Sequence, residues 1–200
     1  MRLSTDLPTP EQMNRICVYC GSSAGVDNQY VDAARELATL LVSANIDLVY
    51  GGATKGLMGV IADTVLQKGG RVRGVIPKAL QEKEIAHEQL TELHVVDSMH
   101  DRKSLMAILS DGFVAMPGGF GTLEEIIEVL TWGQLQFHEK PCGLLNIDGY
   151  FDHLLAFFDH ATNSGFLQQQ HREMLLVADT PAELLDLFEH YEPPDTHKWM

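Results

Sequence analysis

Short apolar runs alternate along the chain with segments whose apolar residues recur every three or four positions. The runs are rich in β-branched residues, and this composition is typical of buried strands. They cover residues 16–19, 46–50, 72–76, 93–96, 112–116 and 142–145. The other segments have the spacing of amphipathic helices. This alternation predicts a single α/β domain whose mostly parallel sheet is covered by helices on both faces.

Three glycine-rich loops each follow a predicted strand and precede a predicted helix. They cover residues 20–25, 51–56 and 117–122. In a parallel α/β sheet, ligands bind beyond the carboxyl ends of the strands, where these loops lie. Glycine lets main-chain N–H groups converge on an anion, and the start of a helix adds partial positive charge. The three loops together predict a phosphate or nucleotide site, although any one of them also fits a simple tight turn.

The common nucleotide fingerprints do not fit these loops. Before the predicted helix 123–136, Gly119 and Gly121 begin a G-x-G-x-x-G pattern, but Glu124 stands in place of the third glycine. A carboxylate at that point would repel a pyrophosphate. The loop over 51–56 lacks the adjacent Gly-Lys-Ser/Thr of a P-loop. These differences argue against a dinucleotide oxidoreductase and against an ATPase.

Two pairs of charged residues are expected at the same edge of the sheet. Glu124 and Glu125 are predicted in the first turn of their helix, where the helix dipole alone can account for one carboxylate. A second carboxylate beside a phosphate site suits hydrolysis of an N-glycosidic bond, because the sugar becomes cationic as that bond breaks. Arg102 and Lys103 are predicted at the start of another helix, where cations are unfavourable unless they meet an anion. We interpret both pairs as site residues rather than as solvated surface charge.

Composition narrows the choice of partners and of compartment. The 200 residues include 14 Lys and Arg against 28 Asp and Glu, which gives a formal net charge of −14. This balance argues against nucleic acid and against an anionic membrane surface, because both bind clustered cations. No apolar stretch reaches the roughly 20 residues that cross a bilayer, and the polar lead-in over 1–14 lacks a signal-peptide core. We expect a cytoplasmic protein with one domain over 15–191 and a tail over 192–200.

Cysteine and histidine patterns indicate no further chemistry. The three cysteines do not suggest a disulfide framework, and the nine histidines show no spacing typical of a metal site. We therefore predict that the protein uses no metal and no cofactor.

The most specific motif lies at residues 117–125, where Pro-Gly-Gly-Phe-Gly-Thr-Leu-Glu-Glu matches the pattern P-G-G-x-G-T-x-x-E in full. With it, the chain resembles the LONELY GUY (LOG) family of cytokinin-activating phosphoribohydrolases, whose bacterial relatives often carry the label lysine decarboxylase. Further matching segments follow the family order at residues 20–23, 50–52, 56–59, 74–77, 99–100, 102–103, 131–132 and 140–141, whereas Asp101 departs from the family pattern. The resemblance extends from about Arg15 to about Tyr191, which is nearly the whole chain.

The resemblance implies a Rossmann-like, doubly wound homodimer that hydrolyses the N-glycosidic bond of a purine nucleoside 5′-monophosphate. The substrate would be a cytokinin-type nucleotide or AMP, and the products would be the free base and ribose 5-phosphate. Carried over by position, Arg102 and Glu125 are the catalytic pair. The implied substrate-binding residues are Gly21, Ser22, Glu84, Lys103, Gly118, Gly119, Gly121, Thr122, Glu124 and Thr131.

Two other functions stand beside this one. A non-catalytic nucleotide sensor or carrier would use the same glycine loops, but it would gain nothing from acidic groups beside an anionic ligand. A lysine decarboxylase would hold pyridoxal phosphate through a lysine Schiff base. No lysine in the sequence has a setting that suggests such a bond.

Overall fold

Seven parallel strands form one sheet in the computed structural model, which describes residues 13–81 and 86–194. The strands are β1 (Arg15–Tyr19), β2 (Asp47–Tyr50), β3 (Val72–Pro77), β4 (Glu92–Val96), β5 (Gly112–Ala115), β6 (Cys142–Leu145) and β7 (Leu175–Ala178). Their order is β4-β3-β2-β1-β5-β6-β7, and every neighbouring pair is parallel. The six predicted strands are confirmed. The seventh is missing from the prediction because its short leucine run carries no clear strand signal.

Helices cover both faces of the sheet. They are α1 (Asn28–Ser43), α2 (Gly56–Gln67), α3 (Lys78–Gln81), α4 (Met99–Leu109), α5 (Phe120–Gln134), α6 (Asp152–Asn163), α7 (Gln169–Glu173) and α8 (Pro181–Glu189). Buried residues of α1, α2 and α8 pack into one apolar core, and those of α4 and α5 pack into the core on the opposite face together with half-buried residues of α6. The doubly wound α/β fold expected from the sequence is therefore confirmed. No helix in the described ranges is long and apolar enough to cross a membrane.

Helix α5 begins earlier than the sequence pattern predicts. Its first residue is Phe120 rather than residue 123, and the preceding Gly119 has an extended backbone. The prediction followed the apolar stripe, which starts later than the helical backbone does. As a result, Glu124 and Glu125 lie beyond the first turn, and the dipole argument for their position is wrong. The first turn instead contains the small residues Gly121 and Thr122.

The strand order reverses between β1 and β5, and this reversal opens the crevice in which such sheets bind ligands. The chain leaves β1 for a helix on one face and leaves β5 for a helix on the other. Main-chain hydrogen bonds connect the loops at this point: the Gly21 N–H donates to the Pro117 carbonyl at 3.1 Å, and the Leu57 N–H donates to the Gly21 carbonyl at 3.1 Å. The three glycine-rich loops therefore meet at one place, as predicted.

The ends of the chain and one internal segment lie outside the described residues. Most of the predicted lead-in over 1–14 and of the predicted tail over 192–200 falls there, as does the segment 82–85.

Candidate active site

A buried ion pair between α4 and α5 lies at the carboxyl edge of the sheet. The Nη1 atom of Arg102 lies 3.4 Å from Oε1 of Glu125. The Arg102 Nε–H donates to the carbonyl oxygen of Val75 in β3 at 3.2 Å. Arg102 is only 7% exposed and Glu125 only 8%. The structure thus brings together the two residues that the family resemblance pairs as catalytic, and it anchors the arginine to the sheet.

The guanidinium occupies space that a missing side chain leaves at Gly51, directly after β2. A Cβ atom at Gly51 would overlap Nη2 of Arg102 and would lie 3.3 Å from its Cζ. The sequence indicated Gly51 only as part of a glycine-rich loop. Its glycine is required here for a close approach of another side chain rather than for an unusual backbone conformation.

Lys103 points away from this pair and toward the outer side of α5. Its Nζ donates to a carboxylate oxygen of Glu124, and it lies 3.0 and 3.1 Å from the two carboxylate oxygens of Glu128. Burial alone would lower the pKa of Lys103, but the hydrogen bonds to the two glutamates outweigh it and the pKa is raised. Glu128 was missed by the sequence analysis. The signal for it is its spacing of four residues from Glu124, which places both carboxylates on one helix face.

The main-chain cradle predicted for a phosphate lies at the start of α5. Gly118 and Gly119 precede the helix, and Thr122 in its first turn is buried. A Cβ atom at Gly118 would overlap Oγ1 of Thr122 and would lie 2.9 Å from the Gly21 nitrogen. Only glycine therefore allows these two loops to pack so closely. The N–H groups of a first helical turn have no partner within the helix and point toward an anion-binding position.

Gly21 and Ser22 differ in their settings. The Gly21 N–H is already used in the hydrogen bond to Pro117, so its visible role is to join two loops. Ser22 is exposed at the rim of the crevice.

One of the implied contacts, Thr131, lies away from the ion pair. Glu84 lies outside the described residues. Thr131 is exposed on α5, and its hydroxyl donates to the Ile127 carbonyl at 2.7 Å. It lies six residues after Glu125, which corresponds to about 9 Å along a helix.

Two buried side chains of β1, Cys17 and Tyr19, lie near Glu125. Burial raises the pKa of Tyr19 well above its ordinary value, and nearby Cys17 and the charge of Glu125 raise it further. Burial also raises the pKa of the Cys17 thiol. Both groups therefore stay protonated. Among residues 13–81 and 86–194, no group of three or more His, Cys, Asp or Glu residues is arranged to hold a metal ion.

Named plant proteins are similar in sequence to this chain. The chain is 52% identical over 182 residues to the cytokinin riboside 5′-monophosphate phosphoribohydrolase LOG1 of Arabidopsis thaliana, an alignment that covers 91% of this chain and 85% of that protein. It is 50% identical over 182 residues to the probable cytokinin riboside 5′-monophosphate phosphoribohydrolase LOGL2 of Oryza sativa subsp. japonica, covering 91% of this chain and 75% of that protein. The chain belongs to the LOG family.

A family model described as "possible lysine decarboxylase" also matches this LOG-family chain, over residues 58–188. The label agrees with the one expected for bacterial relatives, and it differs from the names of the two plant proteins. In the site itself, the amine of Lys103 is held by two carboxylates, so it is not placed as a free amine for a Schiff base.

Solved structures of low sequence identity share the fold of the LOG-family chain. The molybdenum cofactor carrier protein of Chlamydomonas reinhardtii superposes with a TM-score of 0.67 at 20% identity, covering 88% of this chain and 97% of that one. The molybdenum cofactor binding protein of Rippkaea orientalis gives a TM-score of 0.66 at 21% identity, covering 90% and 98%. At these identities the likeness concerns the Rossmann-like fold alone.

Proposed function

We propose that this LOG-family chain hydrolyses the N-glycosidic bond of purine nucleoside 5′-monophosphates, either AMP or cytokinin-type nucleotides, to the free base and ribose 5-phosphate. The observation that carries the proposal is the nearly buried pair of Arg102 and Glu125 at the crevice that also holds the main-chain cradle. The named activity of relatives at about half identity supports the same reaction.

Phosphate binding is the first task of the site in this reaction. The cradle formed by Gly118, Gly119, Gly121 and Thr122 supplies main-chain N–H groups and the positive end of the α5 dipole. These donors suit the dianionic 5′-phosphate, which fixes one end of the nucleotide. The ribose would then lie toward the Arg102–Glu125 pair.

Bond cleavage is the task of the ion pair. As the bond from C1′ to the purine nitrogen breaks, its electron pair goes to the base and the ribose becomes an oxocarbenium-like cation. Glu125 stabilises that cation and accepts a proton from the attacking water, whose oxygen forms the new bond to C1′. The proton is finally delivered to the base nitrogen, so the net reaction consumes one water. Arg102 orients the ribose and balances the charge of Glu125.

The neighbouring glutamate has a different setting. Glu124 is half exposed and is bound to Lys103, whereas Glu125 is buried against Arg102. We infer that Glu125 acts in the chemical step and that Glu124 and Lys103 act at the edge of the substrate site.

A comparison of Glu125→Gln with Glu124→Gln tests this assignment. Both variants remove one charge and keep the size of the side chain. With AMP as substrate, we expect Glu125→Gln to lower the rate of adenine and ribose 5-phosphate release by about 10²–10⁴-fold, the range for a catalytic acid or base. Glu124→Gln should lose much less. Equal activity in wild type and a folded Glu125→Gln would remove Glu125 from the mechanism.

The wild type also decides between the enzyme and the sensor or carrier. Binding of AMP without release of adenine would favour the sensor. A panel of AMP, GMP, CMP and an N6-prenylated AMP, compared by kcat/KM, identifies the substrate class. We expect the two adenine nucleotides to be preferred and the protein to act in the cytoplasm.

We further propose that the protein is a homodimer. Apolar side chains are exposed on α4, on α5 and just after α5: Ile108 is 69% exposed, Ile127 36% and Phe137 74%. Leu135 and Thr131 continue the α5 surface at helical spacing. Burial of such side chains against a second copy removes apolar area from water. The same dimer contact would bring Thr131 close to the partner subunit. Thr131 could then contribute to the partner's site, although it lies away from the Arg102–Glu125 pair of its own chain. A monomer mass in light scattering at micromolar concentration would contradict this.

A further inference from the structure

A tyrosine outside every motif contacts the phosphate cradle. The hydroxyl of Tyr150 donates to the carbonyl oxygen of Gly118 at 2.7 Å. Tyr150 follows β6 and lies at the end of the short 3₁₀ turn Ile147–Gly149, and it is 44% exposed. The contact joins residues that are 32 positions apart in sequence.

This hydrogen bond determines how the peptide after Gly118 is oriented. A trans peptide is planar, with its C=O and its N–H pointing in opposite directions. When Tyr150 holds the Gly118 carbonyl on one side, the N–H of Gly119 must point to the other side. That N–H belongs to the cradle at the start of α5. A glycine-rich peptide without such a contact would rotate easily, because glycine restricts its backbone so little.

The ring of Tyr150 is itself held in place by other aromatic rings. It packs edge-to-face against Tyr30 of α1, with ring centroids 5.8 Å apart and planes at 77°, and against Phe151, at 4.9 Å and 88°. The Tyr30 ring in turn lies under Gly25, where a Cβ would be 2.7 Å from ring atom Cδ2. The aromatic contacts therefore connect the loops after β1, β5 and β6, which all border the crevice.

The turn before Tyr150 has an unusual backbone conformation that sets the position of this residue. Asp148 and Gly149 both have left-handed backbones, with φ of 51° and 69°. For a residue other than glycine this conformation is uncommon, and it persists where surrounding contacts hold it. Here Gln29 of α1 donates to the Asp148 carboxylate at 3.1 Å. The buried amide of Asn146 accepts from the Phe151 N–H at 2.7 Å and so fixes the other end of the turn.

We propose that Tyr150 is a positioning residue for the 5′-phosphate: its hydroxyl orients the Gly118–Gly119 peptide so that the Gly119 N–H is directed at the phosphate. The inference rests on the proposed function and concerns phosphate affinity rather than the chemical step. It predicts a loss that depends on whether the ligand carries a phosphate.

The test compares Tyr150→Phe with wild type and with Tyr191→Phe. Each variant loses one hydroxyl and keeps its ring, and Tyr191 follows α8 and lies near Cys142, at the opposite edge of the sheet. Calorimetry measures binding of ribose 5-phosphate and of adenine, and steady-state kinetics measure KM and kcat for AMP. For Tyr150→Phe we expect ribose 5-phosphate affinity to fall about five- to twentyfold, since a net hydrogen bond contributes on this order. KM for AMP should rise by a similar factor, with kcat within about twofold and adenine binding unchanged. Tyr191→Phe should match wild type.

Two results would overturn the inference. One is an unchanged ribose 5-phosphate affinity in Tyr150→Phe. The other is an equal loss for ribose 5-phosphate and for adenine, which would indicate general distortion of the site. If wild type binds AMP but does not cleave it, the proposed function fails while the affinity comparison still tests Tyr150. If wild type binds neither AMP nor ribose 5-phosphate, both proposals fail.

Discussion

The position of the Arg102 guanidinium can be disturbed without changing any charged residue. In Gly51→Ala, the added methyl group would overlap Nη2 of Arg102. Gly51 does not have a left-handed backbone, so alanine fits the local conformation. The group that must move is the end of the Arg102 side chain, because Gly51 directly follows β2, a strand held between β3 and β1 inside the sheet.

The size of the effect follows from this contact. To restore a normal separation of about 3.5 Å, the guanidinium must retreat by roughly 1.4 Å. That movement stretches the 3.4 Å contact to Glu125 and the 3.2 Å hydrogen bond to Val75. Misplacement of a catalytic group by about 1 Å can cost about 10²-fold in rate. We therefore expect kcat/KM for AMP to fall about 100-fold, which corresponds to about 2.7 kcal/mol of transition-state stabilisation.

The assay is release of adenine from AMP, measured together with thermal unfolding. Gly133→Ala is the matched control, because it also places a methyl against a flexible side-chain end, 2.9 Å from Cε of Met174. It lies about 12 Å beyond Glu125 along α5, so its kcat/KM should match wild type. The reasoning would be refuted if a folded Gly51→Ala retained wild-type kcat/KM.

Two further predictions concern stability. In Lys103→Met, Glu124 and Glu128 lose the cation that they share. We expect the free energy of unfolding in urea to fall by about 1–2 kcal/mol, a loss that is limited because Glu124 is half exposed. A free energy of unfolding equal to that of Lys103→Arg would contradict this. Burial lowers the pKa of His138, so its contribution to stability is present above the unfolded pKa of about 6.5 and is lost as pH falls below it. His138→Gln should therefore show a smaller drop in Tm than wild type between pH 7.5 and pH 5.5, and identical drops would show that His138 does not cause the acid sensitivity.

Much of the fold is visible in the sequence because strands and helices in this chain differ in local pattern. The run 46–50 contains β-branched residues and is followed by a glycine-rich loop, as are the runs 16–19 and 112–116. These loops indicate the edge at which parallel sheets bind ligands. Strand β7 was not predicted, because leucines serve equally well in strands and in buried helices. The predicted start of α5 is too late, because residues 120–122 of the helix carry no apolar stripe.

Part of the candidate site could likewise be predicted from the sequence, and part of it could not. Family resemblance selected Arg102 and Glu125, and the structure shows them in contact. The partner of Lys103 depends on how α4 and α5 pack, which no local pattern contains. The use of Gly51 as space for a guanidinium and the contact of Tyr150 with Gly118 likewise join residues far apart in sequence. Such contacts are set by tertiary packing, so a single sequence cannot reveal them.

A cradle of peptide amides has a consequence for acid–base behaviour. Peptide amides do not ionise at any pH at which proteins stay folded. The N–H donors at the start of α5 therefore keep the same charge and the same donor capacity in weak acid as at neutral pH. The second ionisation of a phosphate monoester lies near pH 6. If AMP binds more weakly on mild acidification, the main cause is thus that the nucleotide phosphate becomes a monoanion. An AMP analogue with a phosphonate of different pKa should therefore shift the midpoint of the curve of affinity against pH without any change to the protein.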